Sequence, residues 1–228
     1  MRKTIFPLLS VALMLFTVGC GDRSVNRSIS VADGQTVSND LSTVNGSIRI
    51  GNQASVQGAA QTVNGSIRVG DGSAVTSVKS VNGSITLSAA VTASGDVETT
   101  NGSIEMAAEN RVEGHVRTTN GRIRIGQGGH VAGPVSSVNG RIELNNASVE
   151  SVANYSGGML VDNGSEVRGE LRVRRGRVIR DQEPPEIIIG ANSQVAGPLV
   201  FERPVRLRVH ESAEIGEVEG AEIERFED

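Results

Sequence analysis

The side chains best suited to proton transfer or metal ligation are His115, His130 and His210. Written in the chain's repeating unit, the three share no common position, so they read as surface histidines and not as a metal site. Carboxylates are plentiful, yet no repeat position gathers them into the acidic cluster that glycan cleavage by paired carboxylates requires. HExxH, GxSxG, the phosphate-binding loop and CxxC are all missing from the sequence. Asn-Gly-Ser at Asn45, Asn64, Asn82 and Asn101 has the form of a glycosylation acceptor. The Asn persists at Asn120 and Asn139, where Arg removes the acceptor, so a structural turn is the better reading. These features predict a chain with no catalytic residues, no metal and no cofactor.

The remaining reactive residue is Cys20, the only cysteine. It follows Arg2, Lys3 and an apolar run from Ile5 to Val18, too short for a comfortable span of about 20 residues and charged in the manner of a secretory signal peptide. Val18-Gly19-Cys20 resembles the lipobox of bacterial lipoproteins, with Thr17 where Leu is usual. The resemblance implies cleavage after residue 19, a lipid on Cys20, and a short tether over 20–25. Gly21, where an Asp would retain the protein elsewhere, implies the outer membrane. The expected partner is therefore the membrane itself, through Cys20.

Most of the chain is one motif rewritten. Thr43 to Gly51 reads TVNGSIRIG, and variants follow at Thr62, Ser80, Thr99, Thr118 and Ser137. The asparagines, at 45, 64, 82, 101, 120 and 139, lie 19 residues apart with one interval of 18, the mark of a solenoid. Counted from the Asn, apolar residues recur at −1, +3, +5, +11 and about +15, as in Val44, Ile48, Ile50, Val56 and Ala60. Alternation around +3 and +5 is the period of a strand buried on one face, and β-branched residues suit it. The template extends back to Asn26 and, through Ser156 in place of Asn, forward to Ile215, interrupted by an arginine-rich insertion at 174–183. Helical repeats need a 3.6-residue period, and a propeller blade about twice this length. The sequence predicts an all-β, single-stranded parallel β-helix over 26–228, with about ten rungs of roughly 19 residues. At ~4.8 Å per rung the rod is roughly 50 Å long. Right-handed winding is expected, although the pattern does not dictate it.

The Asn-Gly pair is expected at a left-handed corner, with the asparagines stacked as a bonded ladder. Position +4 gives an outward column, Arg49, Arg68, Thr86, Glu105, Arg124 and Glu143, whose later members alternate in sign like a cross-rung ion-pair ladder. Loss of Arg2 and Lys3 leaves 20 bases against 26 acids, a net charge of −6, which argues against nucleic acid as a partner. Only Tyr155, Phe201 and Phe226 remain as aromatics, too few for a stacking platform. Arg174, Arg175, Arg177 and Arg180 in the insertion read as a solvated loop or as a contact for anionic lipid head groups.

The VNGSI and TTNGSIE units with V-x-G-x-V segments, such as Val112 to Val116, resemble a bacterial β-helix family of adhesin-like proteins of unknown function. A second resemblance is to the bactofilins, which polymerise end to end. The first implies a non-catalytic envelope lipoprotein acting as an adhesin-like or structural scaffold. The alternatives are a β-helical enzyme on envelope polysaccharide and a bactofilin-like polymer. Against the polymer stands the acidic end: Glu211, Glu214, Glu217, Glu219, Glu222, Glu224, Glu227 and Asp228 face Arg225 alone, so copies repel at that open edge.

Overall fold

A computed structural model describes residues 22–175 and 183–227. The signal segment, Cys20, the centre of the arginine-rich insertion with Arg177 and Arg180, and Asp228 lie outside the described residues. Every described element is a strand, and no helix is long and apolar enough to cross a membrane.

The chain is a parallel β-solenoid with three faces. The first face is an eleven-stranded sheet that begins with Ile29–Val31 and Ile48–Ile50 and ends with Ile223–Phe226. A seventeen-stranded sheet supplies the other two, wrapping one corner because Ser55–Thr62, Ala74–Ser80, His130–Ser137 and Ser148–Asn154 run through it unbroken. Pairing reaches back to Asp22, which aligns with Leu41. The 18-residue interval is absorbed at that corner, where Thr76 alone stands against Gln57 and Gly58, so Val56 still meets Val75 and Ala60 still meets Val78.

The inward columns at +3, +5, +11 and +15 form one continuous core: Ile67, Val69, Val78, Ile85, Val97, Ile104, Val116 and Val131 are fully buried. Each such side chain stabilises by about 1.5–3 kcal/mol relative to exposure. After the slip at Ser156 the columns resume with Met159, Val161, Val167 and Leu171, and after the insertion with Ile187, Ile189, Val195 and Leu199, all buried.

The −1 position departs from the expected pattern. Val44, Val63 and Val81 are 40%, 39% and 42% exposed, whereas the preceding Thr43, Thr62 and Ser80 point inward and are buried. Strand alternation decides this: Ala60 and Thr62 share the inner side of one strand, so the next residue must face out. The inward hydroxyl is satisfied by the rung beneath. Thr62 Oγ1 donates to the Gly46 carbonyl at 2.8 Å, Ser80 to Gly65 at 3.0 Å, Thr99 to Gly83 at 2.8 Å and Thr118 to Gly102 at 2.9 Å. Asn154 continues the series, its Nδ2 donating to the Gly140 carbonyl at 2.7 Å.

The left-handed Asn-Gly corner is also corrected. None of these asparagines or their glycines has a positive φ. The left-handed residues sit at another corner, +8 from the Asn: Gln53, Gly72, Ala90, Glu109 and Gly128, with φ of 52°, 63°, 56°, 59° and 70°. The glycine after each Asn is required for clearance instead. A Cβ on Gly65, Gly83, Gly102 or Gly121 would lie 2.0 to 2.2 Å from the carbonyl oxygen of the glycine one rung below. Arg27 occupies this position in its rung, beneath which no glycine carbonyl is described.

Two substitutions test this packing by urea unfolding. Val131→Asp places an unpaired charge in the core and is expected to cost several kcal/mol. Gly102→Ala leaves the buried surface unchanged yet pushes a methyl group into the Gly83 carbonyl, and is expected to cost about 3 kcal/mol or more. A Gly102→Ala protein with the parent's midpoint would contradict the clearance argument.

Candidate functional site

The exposed −1 column and the −3 column flank the inward threonines, leaving a trough one residue wide along the rod. Its walls are Gln61, Lys79, Glu98 and Arg117 on one side and Val44, Val63, Val81, Thr100 and Thr119 on the other. Thr62, Ser80 and Thr99 form the floor, and the groove encloses about 550 Å³. It exists because a corner strand turns outward immediately after its last buried hydroxyl.

At the middle of one wall, Lys79, Asp96, Glu98 and His115 converge from three rungs. Lys79 Nζ lies 3.0 Å from Glu98 Oε2 and 3.9 Å from Asp96 Oδ2. His115 presents Nδ1 to Asp96 Oδ1 at 2.9 Å and Nε2 to Glu98 Oε1 at 2.5 Å. Strand register brings them together, since Lys79, Glu98 and Arg117 align, and Asp96 and His115 each precede their aligned strands by one residue. Burial works against the charged form of Glu98, but hydrogen bonds from His115 and Lys79 outweigh it and hold the carboxyl below its ordinary range. The bond to Glu98 likewise holds the Lys79 ammonium above its ordinary range, against the smaller effect of burial. Glycan hydrolysis by acid catalysis needs one carboxyl kept protonated near neutrality. Glu98 is shifted the other way.

The other sequence-derived residues are placed as follows. Asn45, Asn64, Asn82, Asn101, Asn120 and Asn139 form a continuous column. Asn45 Nδ2 donates to Asn26 Oδ1 at 2.8 Å, each later Asn donates to the one below at 2.7 to 2.8 Å, and Ser156 Oγ closes the run on Asn139 at 2.9 Å. In the +4 column Arg124 lies 3.1 Å from Glu143, which Arg122 and Arg141 each approach to 3.6 Å. Glu105, aligned with Arg124, takes no part in a described ion pair. His130 aligns with Arg111 and Ser148, and His210 bonds Ser212 and meets the Phe226 ring edge-on. Among the described residues no group of three His, Cys, Asp or Glu could hold a metal ion. Near the insertion, Arg172 links Glu170 and Glu202, while the Arg175 amide donates to Glu202 at 3.0 Å.

Sequence reasoning missed the groove cluster, although a signal was present: Lys79 and Glu98, and Asp96 and His115, are each 19 residues apart. Comparisons of the chain with family models, curated proteins and solved structures found no match.

The cluster sets a pH dependence. The ordinary pKa of Glu98 is 4.5 and the folded state lowers it, so its contribution is complete above that value and disappears as the pH falls through the lowered one. Lys79 starts from 10.5 and is raised, so its contribution holds below that value and is lost as the pH rises through the raised one. Glu98→Gln is expected to lower stability at pH 7 by a few tenths to about 1 kcal/mol. It should also reduce the melting-temperature loss between pH 5 and pH 3. An acid profile that runs parallel to the parent's would show that Glu98 carries none of it.

Proposed function

We propose that the protein is a non-catalytic lipoprotein of the bacterial cell envelope, anchored in the outer membrane through a lipid on Cys20, whose rod serves as an adhesin-like scaffold. The observation that carries this reading is the axial groove with Gln61, Lys79, Glu98 and Arg117 along one wall and Val44, Val63, Val81, Thr100 and Thr119 along the other, open to solvent and with Lys79 paired to Glu98. Such a surface presents exposed valines and a row of polar side chains to an extended partner across several rungs. The acidic end beyond Glu211 opposes joining of copies at that edge, which favours a single rod over a bactofilin-like polymer.

One observation favours the enzyme reading: Glu98 lines a groove that also holds Arg117, and Asp96 shares its Lys79 and His115 partners. The two readings separate in one experiment. A photo-crosslinking residue at Val63 or Val81 in living cells is expected to give a discrete adduct, and one at Thr92 on the second face none. Purified envelope glycan incubated with the protein is expected to release no new reducing ends. Adducts absent from the groove, with reducing ends released by the parent and not by Glu98→Gln, would replace the scaffold with the enzyme.

The anchor is tested separately. Metabolic labelling with a fatty acid should mark the parent and leave Cys20→Ala unlabelled. Equal labelling of the two would remove the lipid from the account.

A further inference from the structure

Arg49 and Arg68 set two like charges side by side on neighbouring rungs. They lie directly in register on Ile48–Ile50 and Ile67–Val69, and both are exposed. Other bases aligned with an acid on the next rung pair with it, as Arg124 does with Glu143 at 3.1 Å and Lys79 with Glu98 at 3.0 Å. Arg49 and Arg68 make no ion pair or hydrogen bond among the described residues. Their column neighbours, Ser30 below and Thr86 above, are uncharged.

Acids are present on these rungs but occupied. Asp33 Oδ1 accepts the Asn52 amide at 2.8 Å, Asp40 Oδ1 the Ala59 amide at 2.8 Å and Asp71 Oδ1 the Ala89 amide at 2.9 Å, all at other corners. Like charges directly opposed on neighbouring strands are destabilising, so the pair costs stability and no local acid offsets it. Beside the arginines runs a column of hydroxyls, Ser47, Ser66 and Ser84, and with Thr86 these residues line a shallow hollow of about 180 Å³.

We infer that Arg49 and Arg68, with the hydroxyls of Ser47 and Ser66, bind a phosphate group. Two guanidinium forks about one strand spacing apart, ~4.8 Å, can straddle one tetrahedral oxyanion. Hydroxyls beside them supply the neutral donors that phosphate oxygens accept alongside charged ones. A hollow of this size holds the phosphate and leaves whatever it is attached to outside. The same chemistry is offered by free phosphate and by an anionic lipid head group. The second and third rungs of the first face, counted from the Cys20 end, are where a membrane would lie if the anchor proposed above is present. The lipid source therefore rests on that reading, while phosphate recognition does not.

The test uses the mature chain with Cys20→Ala, so that no anchor contributes and failure of lipidation cannot be mistaken for failure of this site. One arm titrates inorganic phosphate calorimetrically. The other floats the protein with phosphatidylcholine vesicles lacking or containing phosphatidic acid. Arg68→Glu gives Arg49 an aligned carboxylate, as Arg124 has in Glu143, so its melting temperature should equal or exceed the parent's. Binding should fall by about ten-fold or more. Arg225→Glu makes the same charge change at the far end of the rod and should leave binding unaltered. Loss in both arms, or in one, supports the site, the vesicle arm alone identifying lipid head groups and the phosphate arm alone a free anion. Equal binding by parent and Arg68→Glu in both arms, or an equal loss with Arg225→Glu, would overturn it.

Discussion

The constraint on which the structure depends is the distance between one glycine and the next. From Gly46 to Gly157 each rung sets a glycine carbonyl beneath the following glycine's Cα so closely that a methyl group would sit about 2 Å from the oxygen. That same oxygen accepts the hydroxyl of the next rung's inward Thr or Ser. Two positions away the asparagine side chains bond in a column along the rod. Thr-x-Asn-Gly is thus a single device: the threonine pulls the rung down, the glycine permits the approach, and the asparagine fixes the lateral register. A buried hydroxyl or carbonyl left without its partner costs about 1–3 kcal/mol, so the members of the motif stand or fall together. Hydrophobic columns fill the interior, but they slide more easily than these bonds do.

The groove follows from the same device. An inward hydroxyl at −2 forces its neighbours at −3 and −1 to the outside, and stacking turns those single residues into two walls. What the walls carry is then free to vary between rungs, because neither touches the core. Val44, Val63 and Val81 give way to Thr100 and Thr119, and Gln61 to Lys79, Glu98 and Arg117. Charges introduced on neighbouring rungs pair with each other across the strand spacing, as Lys79, Glu98, Asp96 and His115 do. Arg49 and Arg68, two bases in register, have no acid beside them among the described residues.

Much of the architecture was legible because it is repeated. A 19-residue period with Ile at +3 and +5 fixes the strand, its inner side and the rung length, and buried Ile67, Ile85 and Ile104 follow from it. The −1 valines were misleading because hydrophobicity alone cannot tell a buried residue from an exposed one beside an inward threonine. The left-handed corner was illegible for a different reason: Gln53, Gly72, Ala90, Glu109 and Gly128 share no side-chain type. Asn-Gly carries a strong local turn preference, and here clearance between stacked rungs overrides it. The His115 cluster needed the register of the third face before residues from three rungs could be seen as neighbours.

Amide hydrogen exchange at the corner asparagines tests the central claim most directly. Asn64, Asn82, Asn101 and Asn120 lie at the surface, yet each backbone amide donates to the rung below, Asn82 to Val63 at 2.7 Å and Asn101 to Val81 at 2.8 Å. If Thr-x-Asn-Gly joins the rungs, these amides exchange only through the opening that exposes the amides of Ile85 and Ile104, with protection equal to theirs. Exchange at Asn82 and Asn101 as fast as in an unstructured loop, while Ile85 and Ile104 stay protected, would show that the core alone holds the stack.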